Sequence, residues 1–574
     1  MDRDGRGARQ HTRHRDFEVR GAAISGNRVA YQHGADIRVL DLASGQDRAV
    51  PLQLTSDFDQ QRERWIRRPM AQFTELSVSA DGERALVVAR GRAVSGGAGS
   101  LRRINIATPP NSRVRSARFM PDGKSVVLIC DASGENELWL FPADGSGPGR
   151  QLTKDADAHR WSVYPSPDGK WIAHDDRKQR LWLMNVESGE SRLLDQGEAY
   201  GSRNFRDLRW APDSSALIAR VARNDNQGRD VLVLYRAADG EKFTLATSRY
   251  ANHAPVFSPD GRWLWFLSNR NFAPLQGTPW GERNMGPFFD RRTRAYAIAL
   301  QPGNRFPFQP RDELMTVKPE AKPEAKPEAA AATLRAKTPP IEWDGLAGRL
   351  FEAPLPAGNY SSLDTDGRRL WYLEAEADGR TTLKFLTIDN SGSPPQTFMS
   401  DVRQFAVTAD TRKLLLRRLQ GAGAGDIFIV DAAPKPPPAT EFSRLVVRFA
   451  DWQFTVTPRE DWRQIFEDAW RMQRDWFYDP KLHGVDWLAV RRKYEALLPR
   501  VTERAELSDL IAQMMGELSL LHSQVRLGDL RAGDDNVTPA TLGAVLEPAE
   551  DGIKIARIYT GDPELIETLP PLAR

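Results

Sequence analysis

The stretch Phe257-Ser258-Pro259-Asp260-Gly261-Arg262-Trp263-Leu264-Trp265-Phe266-Leu267 joins a tight turn to an apolar, aromatic-rich run. Aspartate bonds its own backbone and glycine accepts positive φ, so the pair fixes a hairpin turn, and the β-branched and aromatic residues that follow such turns favour strands. The unit recurs. Asp81-Gly82, Asp122-Gly123, Asp168-Gly169 and Asp366-Gly367 each stand before a strand-like run, and degenerate copies sit at Asn27, Asp213 and Asp410. The turns at 81, 122, 168, 213 and 260 are separated by 41, 46, 45 and 47 residues. A period of ~40 to 50 residues with several short strands is the signature of a β-propeller blade. The alternative is a β-sandwich whose turn spacing is accidental.

From residue 17, Val29 to Gln32 and Ile37 to Asp41 read as two strands of one blade. The next turn, Asp81, comes 54 residues after Asn27, and the excess falls in the charged connector Asp57-Phe58-Asp59-Gln60-Gln61-Arg62-Glu63-Arg64-Trp65. Such a connector suits a join between two rings. Counting from Asp81 gives turns near 81, 122, 168, 213, 260, 366 and 410, and seven blades close comfortably into one propeller. The gap between 260 and 366 holds a tandem Lys-Pro-Glu-Ala repeat from Lys318 to Glu328. With its prolines and charges, residues 309–340 are expected to be a disordered, solvated insertion outside the ring. An aromatic loop, Pro279-Trp280-Gly281 and Pro287-Phe288-Phe289-Asp290, precedes it.

With 574 residues, the chain is expected to hold more than one domain. A formal net charge of +3 with 27% charged residues gives no reason to expect a nucleic-acid partner or an anionic membrane. The single cysteine, Cys130, lies in an apolar strand-like run and reads as a buried small residue, with no disulfide framework. No cofactor or metal set is read from the sequence. The basic, polar N-terminus has no apolar export segment, and no window of ~18 uncharged apolar residues follows. Arg9-Gln10-His11-Thr12-Arg13-His14 reads as the closing strand of an earlier blade, so the chain is expected to begin inside a longer protein. The cytoplasm is the expected compartment, or the periplasm if a signal sequence lies upstream of residue 1.

After residue 455 the pattern changes. Thr457-Pro458-Arg459-Glu460 offers a capping box, and Trp462, Ile465, Phe466, Ala469, Met472, Trp476 and Phe477 mark one apolar face of a helix of about five turns. Trp487, Val490, Tyr494 and Leu497 give a second helix, and Leu507, Leu510, Ile511, Met514, Met515 and Leu518 a third.

Several words here resemble the tricorn protease family: Trp462 to Trp470, Gln473 to Pro480, His483-Gly484-Val485-Asp486-Trp487, and Gly516-Glu517-Leu518 ahead of His522. The repeats, the Pro-Trp-Gly and Pro-Phe-Phe-Asp loop and the seven-unit count are similar to its second propeller, so the resemblance runs from about residue 17 to the end. It implies that residues 1–55 are the last blade of a six-bladed ring, 56–452 a seven-bladed propeller, 457–530 a helical core domain and 536–574 the beginning of a PDZ-like domain. Leu542-Gly543-Ala544-Val545 resembles the carboxylate-binding loop of such a fold. The resemblance further implies a serine peptidase acting on short peptides, homo-oligomeric when intact, with the propeller gating substrate. His522 falls on the family's general base, whose imidazole would take the proton of a serine supplied from beyond this chain. Where the family often has a serine just before that histidine, this chain has Leu521. Without nucleophile and oxyanion site, the chain alone is expected to be inactive. A TolB-like propeller used only as a binding module, with the helices as a docking platform, is the reading from a different class. A prolyl-oligopeptidase-like enzyme would need a Gly-x-Ser-x-Gly elbow, and the sequence has none.

Overall fold

In the computed structural model, the residues described are 7, 9–198, 203–223, 229–245, 249–273, 289–310, 338–376, 379–418, 425–526, 528–529 and 540–573. Seven four-stranded antiparallel sheets follow one another at residues 73–105, 114–151, 160–196, 205–244, 252–352, 360–400 and 402–447, each built from four consecutive strands. These are the seven blades of a propeller, numbered 1 to 7 in that order.

The repeated turn has one chemistry throughout. The Oδ1 atoms of Asp81, Asp122, Asp168, Asp213, Asp260, Asp366 and Asp410 each accept a hydrogen bond from the backbone N–H two residues on, at 2.8–3.1 Å. The residue after each aspartate takes positive φ, and it is Ser214 (66°) and Thr411 (63°) at the two degenerate turns. The side-chain bond therefore sets the turn, and glycine only lowers the cost of its left-handed residue.

Each blade contributes an apolar face to both neighbours, and the described residues hold a buried cluster at every blade junction. Trp263, Trp265 and Tyr372, for example, fill the junction of blades 5 and 6. Leu76, Val87, Leu415 and Ile429 close blade 7 onto blade 1. Carboxylates add stitches across the innermost strands: Glu75 accepts from the Ala117 amide, Asp207 from Ala254 and Asp364 from Val407, at 3.0–3.1 Å. Among the described residues blades 1 and 7 each keep their own four strands, joined by a single bridge between Ala98 and Val447. The strand Arg64–Ile66, entering the ring, also pairs with Phe454–Val456, leaving it. Cys130 is fully buried, and burial raises its thiol pKa.

A further four-stranded sheet at 19–49 precedes the ring. Residues 9–14, expected as a closing strand, form no strand: they pair with no backbone among the described residues, and His14 stacks on His33 of the sheet instead. The insertion enters between the third and fourth strands of blade 5, Thr293–Ala299 and Leu350–Glu352. Residues 311–337 and 274–288, which carry most of the insertion and of the aromatic loop, lie outside the described residues. The expected boundary at 340 is too late. Gln301 Nε2 donates to the carbonyls of Pro339 (3.4 Å) and Pro340 (3.0 Å), and Ile341 is buried between blades 4 and 5.

Three helices form the next unit: α1 (Pro458–Trp476), α2 (Trp487–Glu495) and α3 (Arg504–Gly516). Trp462, Phe466 and Trp470 of α1 meet Trp487, Tyr494, Leu507, Met514 and Leu518 in one core. The indoles of Trp470 and Trp487 each donate to the other's carbonyl, at 2.8 and 3.0 Å, which satisfies two buried polar groups at once. Two expectations for α1 are corrected. Thr457 is the N-cap residue and Pro458 opens the helix, but the Thr457 side chain makes no capping bond. Met472 is 44% exposed, and the buried position beside it belongs to Arg471, which is drawn inward by Asp131 of blade 2. A hairpin, Ala544–Ala549 with Gly552–Ile558, follows the helical unit, and two short 3-10 turns at Ile566–Thr568 and Pro571–Ala573 come after it. Among the described residues no helix is long and apolar enough to cross a membrane.

Candidate active site

The geometry around His522 begins with how α1 is fixed. It lies across blades 1 to 3, held by charge pairs: Asp461 with Arg90 and Arg113 (3.3 and 3.0 Å), Asp468 with Arg115 (2.8 Å), Arg471 with Asp131 (3.3 Å) and Arg474 with Glu135 (2.6 Å). At its C-terminal end Trp476 leaves the helical core and stacks on Trp161 of blade 3, centroids 5.4 Å apart, with His159 edge-on to both rings. Burial is the main reason His159 is depressed to about 3, and neighbouring Arg115 adds to it, so this imidazole is neutral.

The segment after α3 is anchored on both sides of His522. Lys493 Nζ and the Tyr494 hydroxyl of α2 both donate to Glu517 Oε1 at 2.7 Å. Partial burial alone would raise the Glu517 pKa, but these two donors and the Lys493 charge hold it below the usual value. Leu518 is fully buried, and Leu520 and Val525 pack on the same core. His483, in the loop after α1, donates from Nδ1 to the Leu518 carbonyl at 2.9 Å, and its Nε2 accepts the Tyr478 hydroxyl.

Between these anchors the chain turns outward. His522 sits at φ 68° on an exposed turn, and Leu521 beside it is 82% exposed. Among the described residues the His522 imidazole has no hydrogen-bond or ion-pair partner. Two histidines thus bracket the end of the helical domain in opposite states. His483 has both nitrogens committed and is structural. The His522 ring has no partner among the described residues and sits on a turn whose flanks are packed, which is what proton exchange with an incoming group requires.

Leu521 supplies no hydroxyl or carboxylate to orient that ring. The described residues hold His522 by its backbone neighbours and leave its side chain to whatever approaches. His483, Tyr478 and Glu517 carry no role among the sequence-based expectations, although all stand within or beside the quoted words. The signal was there only as side-chain chemistry, a phenol and an imidazole five residues apart after a helix end. Gly543, in the expected carboxylate-binding loop, has φ 70°, and Leu542 is 52% exposed.

Comparison with known proteins bears on the whole chain. Residues 73–423 match the family model of the tricorn protease second beta propeller domain, and residues 458–516 that of the tricorn protease C1 domain. The chain is 28% identical over 605 residues to tricorn protease homolog 1 of Streptomyces coelicolor, with 99% of this chain and 53% of the relative covered. To the putative tricorn-like protease C-terminal subunit of Sulfurisphaera tokodaii it is 25% identical over 574 residues, covering 98% of this chain and 61% of that one. The crystal structure of the tricorn protease superposes with a TM-score of 0.76 at 16% identity, over 100% of this chain and 54% of that chain, a likeness of fold. The chain spans about half the length of the curated relatives it matches.

Proposed function

The chain belongs to the tricorn protease family, and from that membership we propose that it is the propeller and helical part of a serine peptidase that hydrolyses short peptides, with His522 as general base. The observation that carries the reading is the exposed imidazole of His522, without a partner among the described residues, on a turn whose flanks are pinned by Glu517, Leu518 and Val525. A neutral imidazole there accepts the proton of a serine hydroxyl as oxygen attacks the peptide carbonyl, then returns it to the leaving amine. The serine is supplied from outside residues 1–574. Leu521 contributes no hydrogen bond, so orientation of the ring falls to the partner domain.

The seven-bladed ring admits substrate as extended peptide, which excludes folded proteins. Residues 1–55 act as the last blade of an upstream ring and 536–574 as the start of a PDZ-like domain whose Leu542 to Val545 loop takes a peptide carboxylate. The intact protein is a homo-oligomer in the cytoplasm. The test uses the full-length peptidase with a short peptide, free or fused to a stably folded protein, and with a serine-directed fluorophosphonate. Hydrolysis of the free peptide, resistance of the fused one and complete inactivation by the fluorophosphonate are expected. A peptidase insensitive to fluorophosphonate overturns the serine assignment, and equal cleavage of both substrates overturns gating.

A further inference from the structure

His14, Asp16 and His33 form the one group found among the described residues in which three possible metal-ligating side chains bring their ligand atoms within 4.8 Å of one another. The two imidazoles stack, centroids 3.8 Å apart and planes inclined by 28°. His33, buried on the strand Arg28–His33, has Nε2 2.9 Å from Asp16 Oδ1. His14 Nε2 lies 2.8 Å from the Tyr31 hydroxyl and 3.2 Å from Asp47 Oδ2, and Asp47 is gripped by Arg38 at 3.0 Å.

The two imidazoles pack face to face and each lies against a carboxylate, so nitrogen and oxygen donors converge on one small space. We propose that His14, Asp16 and His33 bind one divalent cation of the zinc class, with Tyr31, Asp47 and Arg38 orienting the ligands from behind. The donor set of two imidazole nitrogens and one carboxylate oxygen selects zinc or its neighbours over calcium and magnesium, which take oxygen ligands. Three protein ligands leave a position for water. The outer partners are of the kind that fix ring orientation at such sites.

The ion pins residues 14–16, which pair with no strand among the described residues, onto the sheet at 19–49. The next residue, Phe17, packs edge-on against both His33 and Tyr494, at 6.1 and 5.6 Å, and under Lys493 at 4.6 Å. Tyr494 and Lys493 are the donors to Glu517, five residues before His522. The cation therefore ties the sheet to the helical domain at the point where the His522 turn is anchored. This inference does not rest on the peptidase reading.

The test is titration of the untagged, metal-stripped chain with zinc chloride, followed by calorimetry, metal analysis after dialysis and thermal melting. One equivalent per chain and a raised Tm are expected. Asp16→Ala alters a side chain that is 59% exposed, so the fold persists, and as loss of a direct ligand it should weaken zinc binding by more than the ~10–100-fold that loss of an outer-shell partner costs. His33→Ala should do the same, and His11→Ala, an exposed histidine nearby, should not. Absence of stoichiometric zinc, or one equivalent bound equally well by Asp16→Ala, overturns the assignment.

Discussion

His483 donates its Nδ1 hydrogen to the carbonyl of Leu518, 2.9 Å away, and so binds the loop after α1 to the residue four positions before His522. Replacing His483 with alanine removes that bond and the one between the Tyr478 hydroxyl and Nε2, at an expected cost of about 1–2 kcal/mol in stability. Peptide hydrolysis by the intact protein should fall through kcat while its pH profile keeps its shape, because His483 positions the segment that carries His522 and takes no part in the proton transfer. A shifted profile would instead make His483 the base.

Phe466 is fully buried in the helical core, and Met472, six residues on, is 44% exposed. Phe466→Ala should cost ~3–5 kcal/mol in urea unfolding, against less than ~0.5 kcal/mol for Met472→Ala. Similar small losses for both would mean that the α1 face is a docking platform.

His159 is neutral and depressed to about 3, mainly by burial, at the contact of blade 3 with the end of α1. Unfolded, it takes up a proton below its ordinary value of 6.5, whereas folded it does not until about 3. Between those limits the unfolded state binds more protons, so stability falls on acidification, by up to about 1.4 kcal/mol per pH unit from this group. His174 and His253, also depressed chiefly by burial, act in the same direction. His159→Gln should flatten the decline between pH 6 and 4 by about one proton's worth, measured by denaturant unfolding across that range. An unchanged slope would contradict the buried, neutral assignment.

Removing residues 316–337, within the segment between the third and fourth strands of blade 5, should change ring stability by no more than about 1 kcal/mol, because the closing contacts lie at Gln301, Pro340 and Ile341. Loss of the propeller's cooperative melt would show that the Lys-Pro-Glu-Ala repeat packs into the ring.

Local chemistry explains what could be read without the structure. An aspartate bonding the N–H two residues on is complete within one turn, so seven such turns reveal seven blades, even where Ser214 or Thr411 replaces glycine. Helix periodicity likewise located α1, α2 and α3. It failed at Met472 and Arg471 because Asp131, more than three hundred residues earlier in the chain, decides which of the two is buried. The same distance hid the stacking of Trp161 on Trp476 and the pairing of Arg64–Ile66 with Phe454–Val456. His522 came from neighbouring words in the sequence; that its ring meets no partner among the described residues while that of His483 is bound is a matter of three-dimensional contacts alone.

Hydrolysis of a short fluorogenic peptide by the full-length protein, wild type against His522→Ala, tests the central claim most directly. With only proton transfer removed, kcat should drop by about 10³-fold or more, with KM and thermal stability little changed, and residues 1–574 alone should show no turnover. Wild-type kcat in the His522→Ala protein would contradict the account.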